Sequence, residues 1–98
     1  MDKKLYVITR KDLPKSQQAV QAGHALAEFL LTEDRGEWTN GTLVYLGVQN
    51  EIELDCVRHD LNYCGVKHAL FREPDIGNQV TAIACLDNNP VVEDLRLL

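Results

Sequence analysis

The stretch Leu5-Tyr6-Val7-Ile8-Thr9, then Arg10 to Ser16 (RKDLPKS), then Gln17 to Leu31 (QQAVQAGHALAEFLL), decides the fold. The first five residues are β-branched, aromatic or aliphatic, which predicts a buried strand. Arg10 to Lys15 is a polar connection punctuated by Pro14, and Ser16 is the expected N-cap of the next segment. From Gln17 to Leu31 there is no proline, one glycine, and many alanines and leucines, so the segment predicts a helix. On that helix Gln17, Gln21, His24 and Glu28 recur at i, i+4, i+7 and i+11 and share one face. Most other positions are apolar or small. The pattern predicts a helix buried round most of its girth, against the sheet and a neighbour, with the active or binding surface along the polar stripe. Histidine exchanges protons near neutral pH. Glu28, one turn from His24, can orient its ring or raise its pKa. The competing reading is a structural histidine satisfied by Glu28, with glutamines that merely face water.

Further along, Thr32 to Gly41 is a turn-rich loop whose strongest turn signal is Asn40-Gly41. Leu43 to Val48 is a second strand. Asn50 caps a second helix, with Glu53 three residues on in the capping-box position, and Gly65 stops it. Its apolar positions Ile52, Cys56, Leu61 and Tyr63 fit helical spacing loosely, which predicts a surface-lying amphipathic helix. His68 to Phe71 is a third strand, Glu73 to Gln79 a loop, and Val80 to Leu86 a fourth strand, apolar on both faces and expected to be central. Asp87 to Pro90 is a turn. Val91 to Leu98 reads as one helical turn and then a short strand. The order β-α-β-α-β-β predicts a single α/β layered domain, residues 1–98, with a mixed four-stranded sheet and flanking helices.

Composition sets the frame. The chain has 98 residues, one domain by length, with 45% apolar and 26% charged residues, an ordinary globular balance. No stretch approaches the roughly 20 apolar residues of a membrane span, and the N-terminus shows no signal-peptide pattern. Three cysteines without a CxxC pair point to reduced thiols and a cytoplasmic protein. The net charge of −5 divides unevenly: +3 over residues 1–25 and −8 over the rest. A polyanionic partner is disfavoured overall and admitted only at the N-terminal end. Cys56, His59, Cys64 and His68 form the ligand set of a structural zinc site, but the spacing departs from that of zinc fingers and Cys56 looks like a core residue. There is no Gly-rich phosphate loop, no GxSxG elbow and no HExxH, and no cofactor is implied.

Arg10-Lys11-Asp12-Leu13, leading into Ala19-Val20-Gln21-Ala22-Gly23-His24-Ala25, resembles the signature of type II peptidyl-tRNA hydrolases, in which an RxDL loop precedes a helix bearing AAQxxHA. The resemblance resumes at His68-Ala69-Leu70, at Val80-Thr81-Ala82-Ile83-Ala84 and in the closing Leu95-Arg96-Leu97-Leu98. It implies a metal-independent α/β fold, often dimeric, that cleaves the ester between a peptide and its tRNA. It also implies departures. The family's active lysine position is Gln17 here, with Lys15 as the nearest replacement. The family's Asp-Ala-Gly-x-Thr loop is shortened to Glu73-Pro74-Asp75-Ile76-Gly77, where Glu73 or Asp75 replaces the aspartate and the threonine has no counterpart. The pattern resembles a divergent branch of peptidyl-tRNA hydrolase domain proteins.

Three functions stand as expectations. In the first, water is the nucleophile, His24 or a carboxylate at Glu73 or Asp75 is the general base, and Lys15 and Thr81 stabilise the oxyanion. Gln17, Gln21 and Glu28 then line the substrate site, while Arg10 and Lys11, with Lys3 and Lys4, meet tRNA phosphates. In the second, a catalytically silent homologue binds RNA or a protein partner through the same cleft. In the third, the domain binds a small molecule unrelated to RNA.

Overall fold

The computed structural model describes residues 3–34, 36, 38–39, 41–86 and 89–98. Strand β1 (Leu5–Arg10) leads through helix α1 (Lys15–Thr32) to β2 (Leu43–Val48), which pairs parallel to it in register Leu5 opposite Leu43. Helix α2 (Glu51–Tyr63) then crosses to β3 (His68–Glu73). A 3-10 turn (Pro74–Ile76) reverses the chain into β4 (Gln79–Leu86), antiparallel to both β3 and β1. A short helix α3 (Pro90–Glu93) precedes β5 (Arg96–Leu97), which lies antiparallel on β2. The sheet is mixed, with order β3-β4-β1-β2-β5.

The layered α/β class stands, with two changes in the sheet. It has five strands rather than four, because the closing helical turn and short strand deliver Leu97 opposite Leu46 and the Leu98 N–H to the Tyr45 carbonyl. The central position belongs to β1, and β4 is its interior neighbour.

Ser16 does not cap α1. Pro14 occupies the N-cap with φ −55° and accepts the Gln18 N–H at 2.9 Å, while the Gln18 side chain donates to the Leu13 carbonyl at 2.7 Å. Proline's fixed φ suits a helix start, and a glutamine ties down the entering loop in place of a serine. At α2 the expected cap is present. Asn50 Oδ1 accepts the Glu53 N–H at 3.0 Å and Glu53 Oε1 accepts the Gln49 N–H at 2.6 Å. Gly65, at φ +69°, ends the helix with the Val66 N–H on the Leu61 carbonyl, a Schellman closure that needs a left-handed residue. Asn40 and the first two residues of the Asp87–Pro90 turn lie outside the described residues.

The helices cover opposite faces. Against α2 lies a cluster of bulky side chains that includes Ile8, Leu46, Leu54, Val57, Leu61, Ile83 and Val92. Against α1 lies a smaller-residue cluster: Leu5, Val7, Ala22, Ala25, Phe29, Ala69, Ala82 and Ala84. Two burial expectations are corrected. On α2 the buried stripe is Leu54, Val57 and Leu61, spaced i, i+3, i+7, whereas Ile52, Cys56 and Tyr63 are exposed. On α1 only Gln21, Ala22, Ala25 and Phe29 are buried; its outer face leaves Val20, Leu30 and Leu31 exposed, Leu31 at 82%. The buried thiol is Cys85, which burial pushes up to about 11.

Candidate functional site

The end of β1 is built around Arg10. Its Nε and Nη2 donate to the two carboxylate oxygens of Asp12 at 2.9 and 2.8 Å, and its Nη1 donates to Gln79 Oε1 at 2.9 Å and to the Val80 carbonyl at 3.3 Å. Glu51 of α2 accepts the Val80 N–H at 3.1 Å. This network fastens the first residues of β4 to the last of β1. The bonds to Asp12 hold the Arg10 guanidinium above its usual range, and the same bonds hold the Asp12 carboxyl below its own. Arg10 and Asp12 of the RxDL sequence are thus committed to the fold. Arg10 is buried, with Nε, Nη1 and Nη2 already bonded, and does not face a phosphate.

Beside that clamp the β3–β4 register shifts between Phe71 and Arg72. Val80 belongs to the α2 cluster, yet Thr81 and Ala82 both serve the α1 side, as a β-bulge allows. Thr81 Oγ1 donates to Gln21 Oε1 at 2.6 Å, and Gln21 Nε2 donates to Glu73 Oε1 at 3.5 Å. The Phe71 carbonyl lies 3.3 Å from the same threonine hydroxyl. Gln21 is 1% exposed and Thr81 fully buried, so this is a buried polar chain that ends on a carboxylate. It forms one wall of a cleft of about 250 Å³ lined also by Leu13, Pro14, Gln17, Asp75 and Ile76.

The cleft unites Gln17, Gln21, Glu73, Asp75 and Thr81, five site residues drawn from three separate places in the sequence. Others fall outside it. His24 stacks flat on Phe71, with ring centroids 4.2 Å apart and planes at 7°. No hydrogen bond joins it to Glu28 among the described residues, and Glu28 is exposed. Lys15 is exposed in the first turn of α1, and Lys11 lies against Gly47 on β2. The stripe of α1 is therefore divided: its first half faces the cleft, and its second half flanks the edge strand β3. Leu13, Pro14 and Ile76 were missed as lining residues. The only sequence signal for them was their adjacency to polar candidates.

The Cys56–His59–Cys64–His68 set does not converge. Cys56 and Cys64 are exposed, His59 Nε2 lies 3.8 Å from Asp55, and His68 Nδ1 lies 2.9 Å from the Val66 carbonyl. Among the described residues no group of three or more His, Cys, Asp or Glu is placed to hold a metal ion. Nor is any described helix long and apolar enough to cross a membrane.

No protein-family model matches the chain, and no curated protein matches it. Among solved structures the chain is similar to a protein of unknown function, Atu0240, from Agrobacterium tumefaciens strain C58. The TM-score is 0.73 at 15% identity, covering 100% of this chain and 98% of that one. At that identity the likeness shows the fold alone.

Proposed function

We propose that the cleft is an ester-hydrolase site of the peptidyl-tRNA hydrolase kind, acting on the bond between a peptide and the 3′ ribose of tRNA. The observation that carries the reading is the meeting of Gln17, Gln21, Thr81, Glu73 and Asp75 in one 250 Å³ cleft. Glu73 is the general base: its carboxylate takes a proton from a water as that water attacks the ester carbonyl. The same proton passes to the departing ribose oxygen, so the products are a free peptide carboxyl group and a tRNA hydroxyl. Gln21, held on its oxygen side by Thr81, aims its amide N–H at Glu73 and positions the base. Thr81 has its proton occupied by Gln21, so the amide of Gln17 takes the oxyanion role expected of Thr81 and Lys15. Lys4 and Lys15, both exposed at the basic end of the chain, meet the phosphates. The resemblance also implies a homodimer, and the exposed apolar outer face of α1 supports one; light scattering of the purified chain tests it.

A second reading is favoured by a specific observation. Among the described residues lining the cleft there is no lysine, arginine or histidine. A developing oxyanion then meets only amide donors, which suits a catalytically silent homologue that binds RNA or a protein partner.

Incubation with an N-acylated aminoacyl-tRNA separates the two. Under the first reading free tRNA is released, and Glu73→Gln slows release by roughly 10²-fold or more. His24→Ala, which removes only the stack on Phe71, leaves most of the rate. No release at enzyme levels where an authentic hydrolase works ends the first reading. Salt-sensitive tRNA binding without release supports the second.

A further inference from the structure

We propose that the open edge of β3 binds the peptide part of the substrate as an added strand, through its backbone and whatever its side chains. The occupant and its direction rest on the ester-hydrolase reading of the adjoining cleft. β3 is an outer strand of the sheet, six residues long, with no proline in it. The opposite edge ends in β5, only two residues long, a length that blunts an edge.

Hydrogen bonds elsewhere fix which β3 groups face outward. Within a strand the N–H and C=O of one residue point the same way, and neighbouring residues point opposite ways. Val80 lies opposite Arg72. Its N–H donates to Glu51 and its carbonyl accepts from Arg10, so both point away from β3. Arg72 is therefore in a non-hydrogen-bonded pair and turns its own N–H and C=O to the open edge. The neighbours agree. The Phe71 carbonyl accepts the Thr81 hydroxyl at 3.3 Å and the Glu73 carbonyl accepts the Asn78 N–H at 2.9 Å, both on the β4 side. By alternation His68, Leu70 and Arg72 present three N–H and three C=O groups outward. Among the described residues no hydrogen bond from outside the β3–β4 ladder reaches any of the six.

The edge leads into the cleft, because Glu73 is both the last residue of β3 and a cleft wall. With the ester carbonyl at Glu73, the peptide runs back past Leu70 to His68, its own direction parallel to β3. Six strand residues cover roughly 16 Å, enough for about five peptide residues. Main-chain bonds of this kind supply affinity without reading side chains, which suits a substrate class of arbitrary sequence. A second copy fits less well. Two-fold symmetry would pair β3 antiparallel to itself, and the register that uses all six groups is centred on Leu70. It sets His68 against Arg72 at both ends, basic side chains opposite each other.

The test needs neither tRNA nor ester: ¹⁵N-labelled protein is titrated with acetyl-Thr-Val-Ser-Val-Ala-amide. Saturable shifts are expected at His68, Leu70 and Arg72, half complete at roughly 1 mM. Their amide hydrogens should exchange about tenfold more slowly near saturation, whereas those of Ala69 and Phe71, already bonded to β4, should not change. A pentapeptide of unrelated side chains should bind within about threefold, and methylation of every peptide nitrogen should weaken binding at least tenfold. A spin label at the amino end of the peptide should broaden His68, and one at the carboxyl end Ile76. Absence of saturable shifts overturns the proposal, as do equal protection of Ala69 and Phe71, undiminished binding of the methylated peptide, or the reverse order of broadening. Concentration-dependent shifts of the same amides without peptide would assign the edge to a second copy and overturn it too. Release of tRNA without these shifts would end the edge site alone. The shifts without release would uphold the edge site and end the hydrolase reading.

Discussion

The two faces of one sheet are built to different rules. Toward α2, β1, β2 and β4 present Ile8, Leu46, Val48, Val80 and Ile83, and the helix answers with Leu54, Val57 and Leu61. Two polar groups of that side, Arg10 and Glu51, bond to the Val80 backbone at one end of it. Toward α1 the strands present Ala69, Ala82 and Ala84, and the helix answers with Ala22, Ala25 and a single large ring, Phe29. Small residues on both partners bring helix and strands close enough for a glutamine amide to reach a threonine hydroxyl at 2.6 Å. One face holds the domain together by apolar area. The other gives up area for a buried polar chain, and the candidate cleft lies at the end of that chain.

The contrast between the faces can be broken in several places. Leu61→Ala removes a fully buried side chain from the α2 face and is expected to cost about 2–5 kcal/mol in chemical denaturation, while leaving the cleft unchanged. A loss below that range would mean that the α2 cluster is not the main support. Ala84→Leu overfills the α1 face and is expected to cost about 1–3 kcal/mol. Unlike Leu61→Ala, it moves α1 outward and shifts the amide resonances of Gln21 and Thr81; unmoved resonances would refute close approach as the reason for the alanines.

Gln21→Leu and Thr81→Val are each expected to cost about 1–3 kcal/mol, because each strands a buried partner. The double variant, with neither group left, should recover at least about 1 kcal/mol relative to the sum. Strict additivity would show that the 2.6 Å bond contributes nothing beyond its two ends. Thr9 offers the opposite test. Its hydroxyl is buried and has no hydrogen-bond partner among the described residues, so Thr9→Val is expected to raise stability by about 1 kcal/mol. Destabilisation would sink that account.

The smallest effect belongs to Asp12→Asn. Arg10 lowers the folded-state pKa of Asp12, so the pair stabilises the fold fully above the unfolded carboxyl value of about 3.9. That contribution is lost as pH falls through the lower folded value. Asp12 is 40% exposed, which limits the cost of the variant at neutral pH to about 0.5–1 kcal/mol. Stability curves of the two proteins should converge at acid pH, and a constant offset would refute the linkage.

Much of the fold was legible. The β-branched run at Leu5, the Asn50–Glu53 cap and the glycine at 65 are local signals whose meaning does not depend on distant residues. The elements they mark fall where expected. Less legible was which apolar residues of α2 turn inward. Ile52 and Leu54 are equally hydrophobic, and only contact with the sheet distinguishes them. The candidate site was half legible. Periodicity placed Gln17 and Gln21 on one face of α1, whereas Glu73 and Asp75 were marked only by the family resemblance. Yet the same periodicity grouped His24 with them, although a neighbouring aromatic ring holds it elsewhere.

By itself, then, the sequence determined the element order, the α/β class and the polar face of α1, because helix and strand periods and caps act within a few residues. Only the tertiary structure decided the fates of the charges and of the stripe. Arg10 becomes a clamp because Gln79 and Val80 arrive beside it from the far end of the chain. Lys11 lies across β2 because position 47 has no side chain. Gln21 reaches Thr81 because the register shift beside Phe71 turns the threonine toward α1. Each of these outcomes depends on a contact between residues dozens of positions apart, which no local pattern encodes.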